Sequence, residues 1–186
     1  MSYFLVLFLA IVFPVLLSFD RKVAFYRLWK YIFPAILITA FLFILWDILF
    51  THLGVWSFNR QYLSGIYVFN LPVEEILFFM VVPYAALFTY EVLRVYVQKD
   101  YLGQYARFIS LFLAVVLIPS GLIFYDRLYT SSNLIFCGLL VLFFQFLLRV
   151  SWMGRFYLAF GVILVPFVLV NGVLTGSWID GEIVSY

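Results

Sequence analysis

Charge is scarce in this chain: Asp, Glu, Lys and Arg make up 11% of its 186 residues, against 67% hydrophobic, and the mean hydropathy is +1.15. A water-soluble domain of this length cannot bury so much apolar surface, so a soluble fold is excluded. The 11 Lys and Arg are scattered and leave a formal net charge of only +2, which offers no basic stripe to a phosphate backbone and removes nucleic acid as a partner. The single cysteine, Cys137, allows neither an internal disulfide nor a cysteine metal site and reads as helix packing. His52 is the only histidine; with no second imidazole to share a metal, it reads as a solvated side chain at the membrane surface. There is no glycine-rich dinucleotide fingerprint, no aspartate near Asp47 to hold a magnesium diphosphate, and no lysine inside a span to form a Schiff base with retinal. The first segment also lacks a basic n-region and a small-residue cleavage site before Asp20, so it reads as a retained span.

What the chain does have is long apolar runs. A helix needs roughly 20 such residues to cross the hydrocarbon layer, and six stretches qualify: 2–19, 31–50, 72–90, 106–125, 133–148 and 156–174. The fold class is therefore an all-α polytopic transmembrane helix bundle. Nine Lys and Arg lie in the odd-numbered connections and only Arg60 and Arg127 in the even-numbered ones, which puts the N-terminus outside a cell membrane crossed several times. Trp56, Tyr62, Tyr67, Tyr125, Tyr129 and Trp178 fall near the outer ends, where amphipathic rings favour the headgroup level.

Shifting the chain on itself by 124 residues aligns Trp46-Asp47-Ile48-Leu49-Phe50-Thr51 with Val170-Asn171-Gly172-Val173-Leu174-Thr175, so that Asp47 meets Asn171 and Thr51 meets Thr175. The expectation is one transmembrane domain, 1–186, built as a parallel internal repeat. Its first copy covers about 1–97, a connector helix about 106–125, and an incomplete second copy about 132–186. The first copy runs on through Trp56-Ser57-Phe58-Asn59 to Leu71-Pro72-Val73-Glu74-Glu75, and a seventh helix opening with the equivalent segment is expected beyond Tyr186.

Asp47, Glu74, Glu75 and Glu91 lie within or at the margin of spans. A carboxylate there costs on the order of 2.5 to 3.5 kcal/mol on insertion scales, so each needs a partner, a water-lined cavity or a proton, and each is a functional candidate. Pro72 suits the first position of a helix, which puts Glu74 and Glu75 in its first turn. There they either complement the helix dipole at the surface or point into the bundle; the apolar continuation Ile76-Leu77-Phe78-Phe79-Met80 favours burial of at least one, which keeps its proton in place. Asp47, near the outer end of the second span, is brought to the same depth by the loop 51–71. Trp46, Trp56 and Phe58 flank this region, either as packing or as ring faces that stabilise a developing cation. Glu91 has Arg94 three residues on and reads as its ion-pair partner.

The run Trp56-Ser57-Phe58-Asn59, then Gly65 and Leu71-Pro72-Val73-Glu74-Glu75-Ile76-Leu77-Phe78-Phe79, resembles the integral-membrane, non-flavin lycopene cyclases: the heterodimeric and fused bacterial, the archaeal, and the fungal carotenoid cyclase type. Asn171-Gly172-Val173-Leu174-Thr175-Gly176 is similar to the corresponding second-repeat stretch. The resemblance implies an intramolecular lyase or isomerase of the lycopene beta-cyclase type, acting in carotenoid biosynthesis by acid–base closure of the linear ends of lycopene into ionone rings without net redox. It implies Glu74, Glu75 and Asp47 as catalytic groups, Trp46, Trp56, Phe58, Phe78 and Asn171 as substrate-binding residues, no metal and no cofactor. The implied partners are the carotenoid, the lipid bilayer, and either a partner subunit or a further copy of the chain. The alternative from another class is a proton-coupled transporter or channel using Asp47, Glu74 and Glu75; it needs a polar pathway to the other face, and the cytoplasmic halves of the spans offer little lining apart from Glu91. A purely structural assembly subunit is a third reading.

Overall fold

The computed structural model describes residues 2–176 and 183–185. Among the described residues there are six α-helices: α1 Ser2–Leu17, α2 Trp29–His52, α3 Val73–Tyr96, α4 Ala106–Ile123, α5 Leu128–Leu142, which continues into a π-helical turn Phe143–Leu147, and α6 Met153–Leu174. Among the described residues, five helices are long and apolar enough to cross a membrane, while α1, at 16 residues, is a shorter apolar helix. This is an all-α membrane protein, with five helices of full spanning length where the apolar runs suggested six. Large apolar side chains such as Leu5, Phe13, Ile38, Phe41, Phe108 and Val165 lie exposed along the helices, as they must where the surrounding solvent is hydrocarbon.

The described residues fall into two units. The first lies within Met1–Tyr96 and Val162–Tyr186, the second within Val97–Gly161. In the first unit α1 and α2 both pack against α3. One core, Phe25, Ile36, Tyr84 and Phe88, carries a small polar centre in which the Ser18 and Tyr84 hydroxyls lie 2.7 Å apart and the Trp29 indole donates to Tyr84 at 3.0 Å. The other core joins Tyr3 and Leu7 of α1, Leu63, Leu174 at the end of α6, and Ile183 and Val184.

The chain between α2 and α3 is folded by two short antiparallel pairs. β1 (Ser57–Phe58) pairs with β4 (Val184–Ser185), setting Phe58 opposite Val184; β2 (Tyr67–Val68) pairs with β3 (Leu71–Pro72), setting Tyr67 opposite Pro72. Gly65 takes φ +85°, a left-handed conformation that costs glycine nothing. Val73 N–H donates to Ile66 carbonyl at 3.0 Å and closes the loop against the start of α3. Pro72 thus ends β3, and α3 begins one residue later than expected; a two-residue ribbon at a sheet edge accepts proline because no ladder donor is required there. Glu91 is buried and paired with Arg94 at 2.6 Å, and His52 is exposed in the last turn of α2.

The second unit is an α4–α5 pairing closed by glycines. A Cβ on Gly138 would lie 2.6 Å from Ile118 Cγ1, and one on Gly121 would lie 2.7 Å from Ile135 Cγ1 and 3.0 Å from the Ser131 carbonyl. Close backbone approach through small residues is how helices associate where lipid removes the hydrophobic drive. Cys137, expected in that packing, is exposed instead, because its neighbour Gly138 occupies the contact face. Ser110, fully buried, sits 2.6 Å from the Tyr157 hydroxyl and donates to the Ala106 carbonyl at 2.7 Å.

Candidate active site

Asp47 stands in the second-last turn of α2, 2% exposed, and neither of its carboxyl oxygens has a hydrogen-bond partner. Trp56 and Thr51 are its electrostatic neighbours, but the Trp56 indole donates to Thr51 Oγ1 at 2.9 Å. Glu74 is fully buried in the first turn of α3. The backbone N–H of Ser64 donates to its Oε1 at 2.6 Å, and its Oε2 has no partner. Glu75, half-buried, accepts a 2.6 Å bond from the Tyr3 hydroxyl and lies close enough to Asp47 for the two carboxyls to interact through space.

These placements follow from the local sequence. An Asx turn at Asn59, whose side chain accepts from Gln61 N–H at 3.1 Å, starts the return loop. Asn70 then ties that loop to α2 by donating Nδ2–H to the Ile48 carbonyl at 2.9 Å. Four residues later the chain presents Glu74. Asn70 Oδ1 is itself buried without a partner, so three side chains of this region hold acceptor oxygens that face no donor.

Aromatic rings fill the space beside the acids. Trp56, Phe58 and Phe78 pack in the core that contains Tyr3, and Phe50 links Trp56 (5.3 Å between centroids) to Trp46 (5.0 Å). Trp46 is 36% exposed, and its ring meets that of Phe50. Asn171 is half-buried in the last turn of α6, between Val170 and Leu174, which both pack in the Tyr3 core. Trp178 lies outside the described residues. Tyr3, Ser64 and Asn70 were not anticipated from the sequence. The charge asymmetry of the loops already put Tyr3 at the same end of the bundle as Glu75, a signal that could have singled it out. Among the described residues, no group of three or more His, Cys, Asp or Glu side chains is placed to hold a metal ion.

Chemically, the cluster offers carboxyl groups in an apolar, aromatic setting, one of them hydrogen-bonded to a phenol. A family model described as lycopene cyclase matches residues 1–93 and 126–186. No curated protein and no solved structure gives a match. The two matched blocks take in most of the chain and all of the carboxyl cluster with its ring neighbours, and on that match this membrane protein belongs to the lycopene cyclase family, enzymes that cyclise carotenoids.

Proposed function

We propose that the chain closes the linear ends of lycopene into ionone rings by proton-initiated isomerisation, an intramolecular lyase reaction, with Glu74 and Glu75 as acid and base and Asp47 as their partner. The observation that carries this reading is the pair of buried acids, Asp47 and Glu74, with oxygens that lack a partner, beside a third acid, Glu75, bonded to Tyr3 of the aromatic core. A carboxyl group is costly to bury without a donor, and in a membrane helix such a group marks a place where chemistry is done. A proton-bearing acid against an apolar substrate is what the first step requires.

In that step the acid adds its proton to the terminal double bond of the end group, creating a tertiary cation. The internal alkene supplies its electron pair to form the ring bond, and a carboxylate removes a proton from the ring to restore a double bond. One proton enters and one leaves, so nothing is oxidised or reduced. Trp56, Phe58 and Phe78 present ring faces and edges that screen the cation from water. The Tyr3 hydroxyl, by donating to Glu75, fixes that carboxyl's rotamer. Glu91, already neutralised by Arg94, lends no support to a proton pathway across the bilayer.

The nine-to-two charge bias supports an outward N-terminus in a cell membrane, and the division of the family match into two blocks supports the parallel repeat. The test is expression of the coding region in a lycopene-accumulating bacterium, followed by pigment chromatography. Monocyclic or bicyclic products are expected; unchanged lycopene overturns the reading.

A further inference from the structure

Below the carboxyl cluster, the first unit contains a cavity of about 110 Å³ walled by α1, α3 and α6, with Ala10, Val82, Ala85, Ala86, Phe167 and Val170 among its lining. Its size is comparable with the roughly 150 Å³ apolar cavity that accommodates a benzene ring. The one hydroxyl in its wall, that of Thr89, bonds back to the Ala85 carbonyl at 2.8 Å. The lining therefore asks for hydrocarbon.

Its position follows from helix periodicity. Residues three and four apart share a helix face, and on α3 that spacing runs Glu75, Phe78, Val82, Ala85, Thr89. On α1 it runs Tyr3, Leu7, Ala10; on α6, read from its end, Leu174, Val170, Phe167, Ile163. The upper members of these three rows form the core around the Tyr3–Glu75 hydrogen bond, and the lower members line the cavity, with Val170 belonging to both. At 1.5 Å per residue, Val82 lies about 10 Å and Thr89 about 21 Å along the axis from Glu75. Pro14, Pro83 and Pro166 break the backbone ladder of each wall along this stretch.

A reaction confined to one end of a long linear hydrocarbon leaves the rest of the molecule to be held somewhere, and this seam starts at the acids and continues in the direction of the helix axes. We propose that the α1–α3–α6 groove seats the stretch of unreacted polyene next to the reacting end, and that Ala10, Ala85 and Ala86, by their small size, set the width it accepts. The assignment rests on the cyclase reading for its ligand, and its test separates the two.

The full-length protein in lipid nanodiscs is titrated with lycopene. Binding is read from visible circular dichroism, which an achiral polyene acquires only in a chiral seat, and ring closure is read by chromatography. Ala85→Phe fills the groove, and Ala10→Leu fills it from the facing helix. Leu87→Phe, at a 39% exposed position of α3, is the control. The expected result is a half-saturating lycopene concentration raised about tenfold or more in both groove variants, the scale of a side chain intruding on an apolar pocket, with the induced signal weakened in parallel and the control unchanged. Should one groove variant fail to reach the membrane, the other decides. Wild-type binding and turnover in the groove variants overturns the proposal and leaves the space to lipid tails. Binding that the variants abolish, with no ring formed even by the wild type, upholds the groove and overturns the cyclase reading; absence of both binding and turnover in the wild type overturns both.

Discussion

The hydroxyl of Tyr3 donates a 2.6 Å hydrogen bond to Glu75 Oε2, 72 positions further along the chain. Tyr3 is only 1% exposed and its ring is part of the core, so the bond joins the first turn of α1 to the first turn of α3 inside apolar packing. It orients one acid of the cluster while the neighbouring acid, Glu74, is oriented by a backbone donor, Ser64 N–H. The two adjacent glutamates are thus held by different means, one through a proton-carrying side chain and one through the main chain.

Tyr3→Phe keeps the ring in its place and removes only the donor. Ring closure at saturating lycopene is expected to fall about tenfold, equivalent to about 1.4 kcal/mol of barrier, with little change in half-saturation and in membrane abundance. Initial rates in isolated membranes check this; an unchanged rate would show that the phenol is structural only.

Glu74→Gln retains an oxygen for the Ser64 N–H and replaces the unpartnered oxygen by an amide nitrogen. The variant is expected to accumulate like the wild type and to lose cyclisation by about a hundredfold or more, the range for a positioned acid or base. Pigment extraction from lycopene-producing cells measures it, and Glu75→Gln run beside it separates the roles of the two.

Asn70→Ala removes the bond to the Ile48 carbonyl and is expected to cost about 1 kcal/mol of stability, or some 2–4 °C in Tm for a chain of this size. Asn70→Asp places an acceptor against that carbonyl when ionised and is expected to cost more. Thermal unfolding of the purified protein in detergent reads both; equal melting of Asn70→Asp and wild type would remove Asn70 as the tie between loop and α2.

At Gly154 a Cβ would fall on the backbone of Gly103 and on the Asp100 side chain, whereas at Gly138 the nearest atoms it meets belong to the Ile118 and Leu117 side chains. Overpacking typically costs about 1–3 kcal/mol, and backbone yields less readily than a side-chain tip. Gly154→Ala is therefore expected to lower Tm more than Gly138→Ala, in the same detergent melting assay.

The helices could be read along the chain because spanning a membrane is a local demand: each segment must satisfy its own backbone and present about 20 apolar side chains to lipid, and α2 to α6 lie where the apolar runs lie. The acids were legible for the same reason, since Asp47, Glu74 and Glu75 stand out against hydrocarbon. Only the tertiary structure decided that Tyr3 meets Glu75, that Ser64 and Asn70 hold the loop which carries the glutamates inward, that Trp46 stays at the margin behind Phe50, and that Gly138 rather than Cys137 makes the helix contact. Insertion into the bilayer depends on the composition of each helix alone, but the azimuth at which one helix meets another depends on packing between residues far apart in sequence, and composition leaves that angle open.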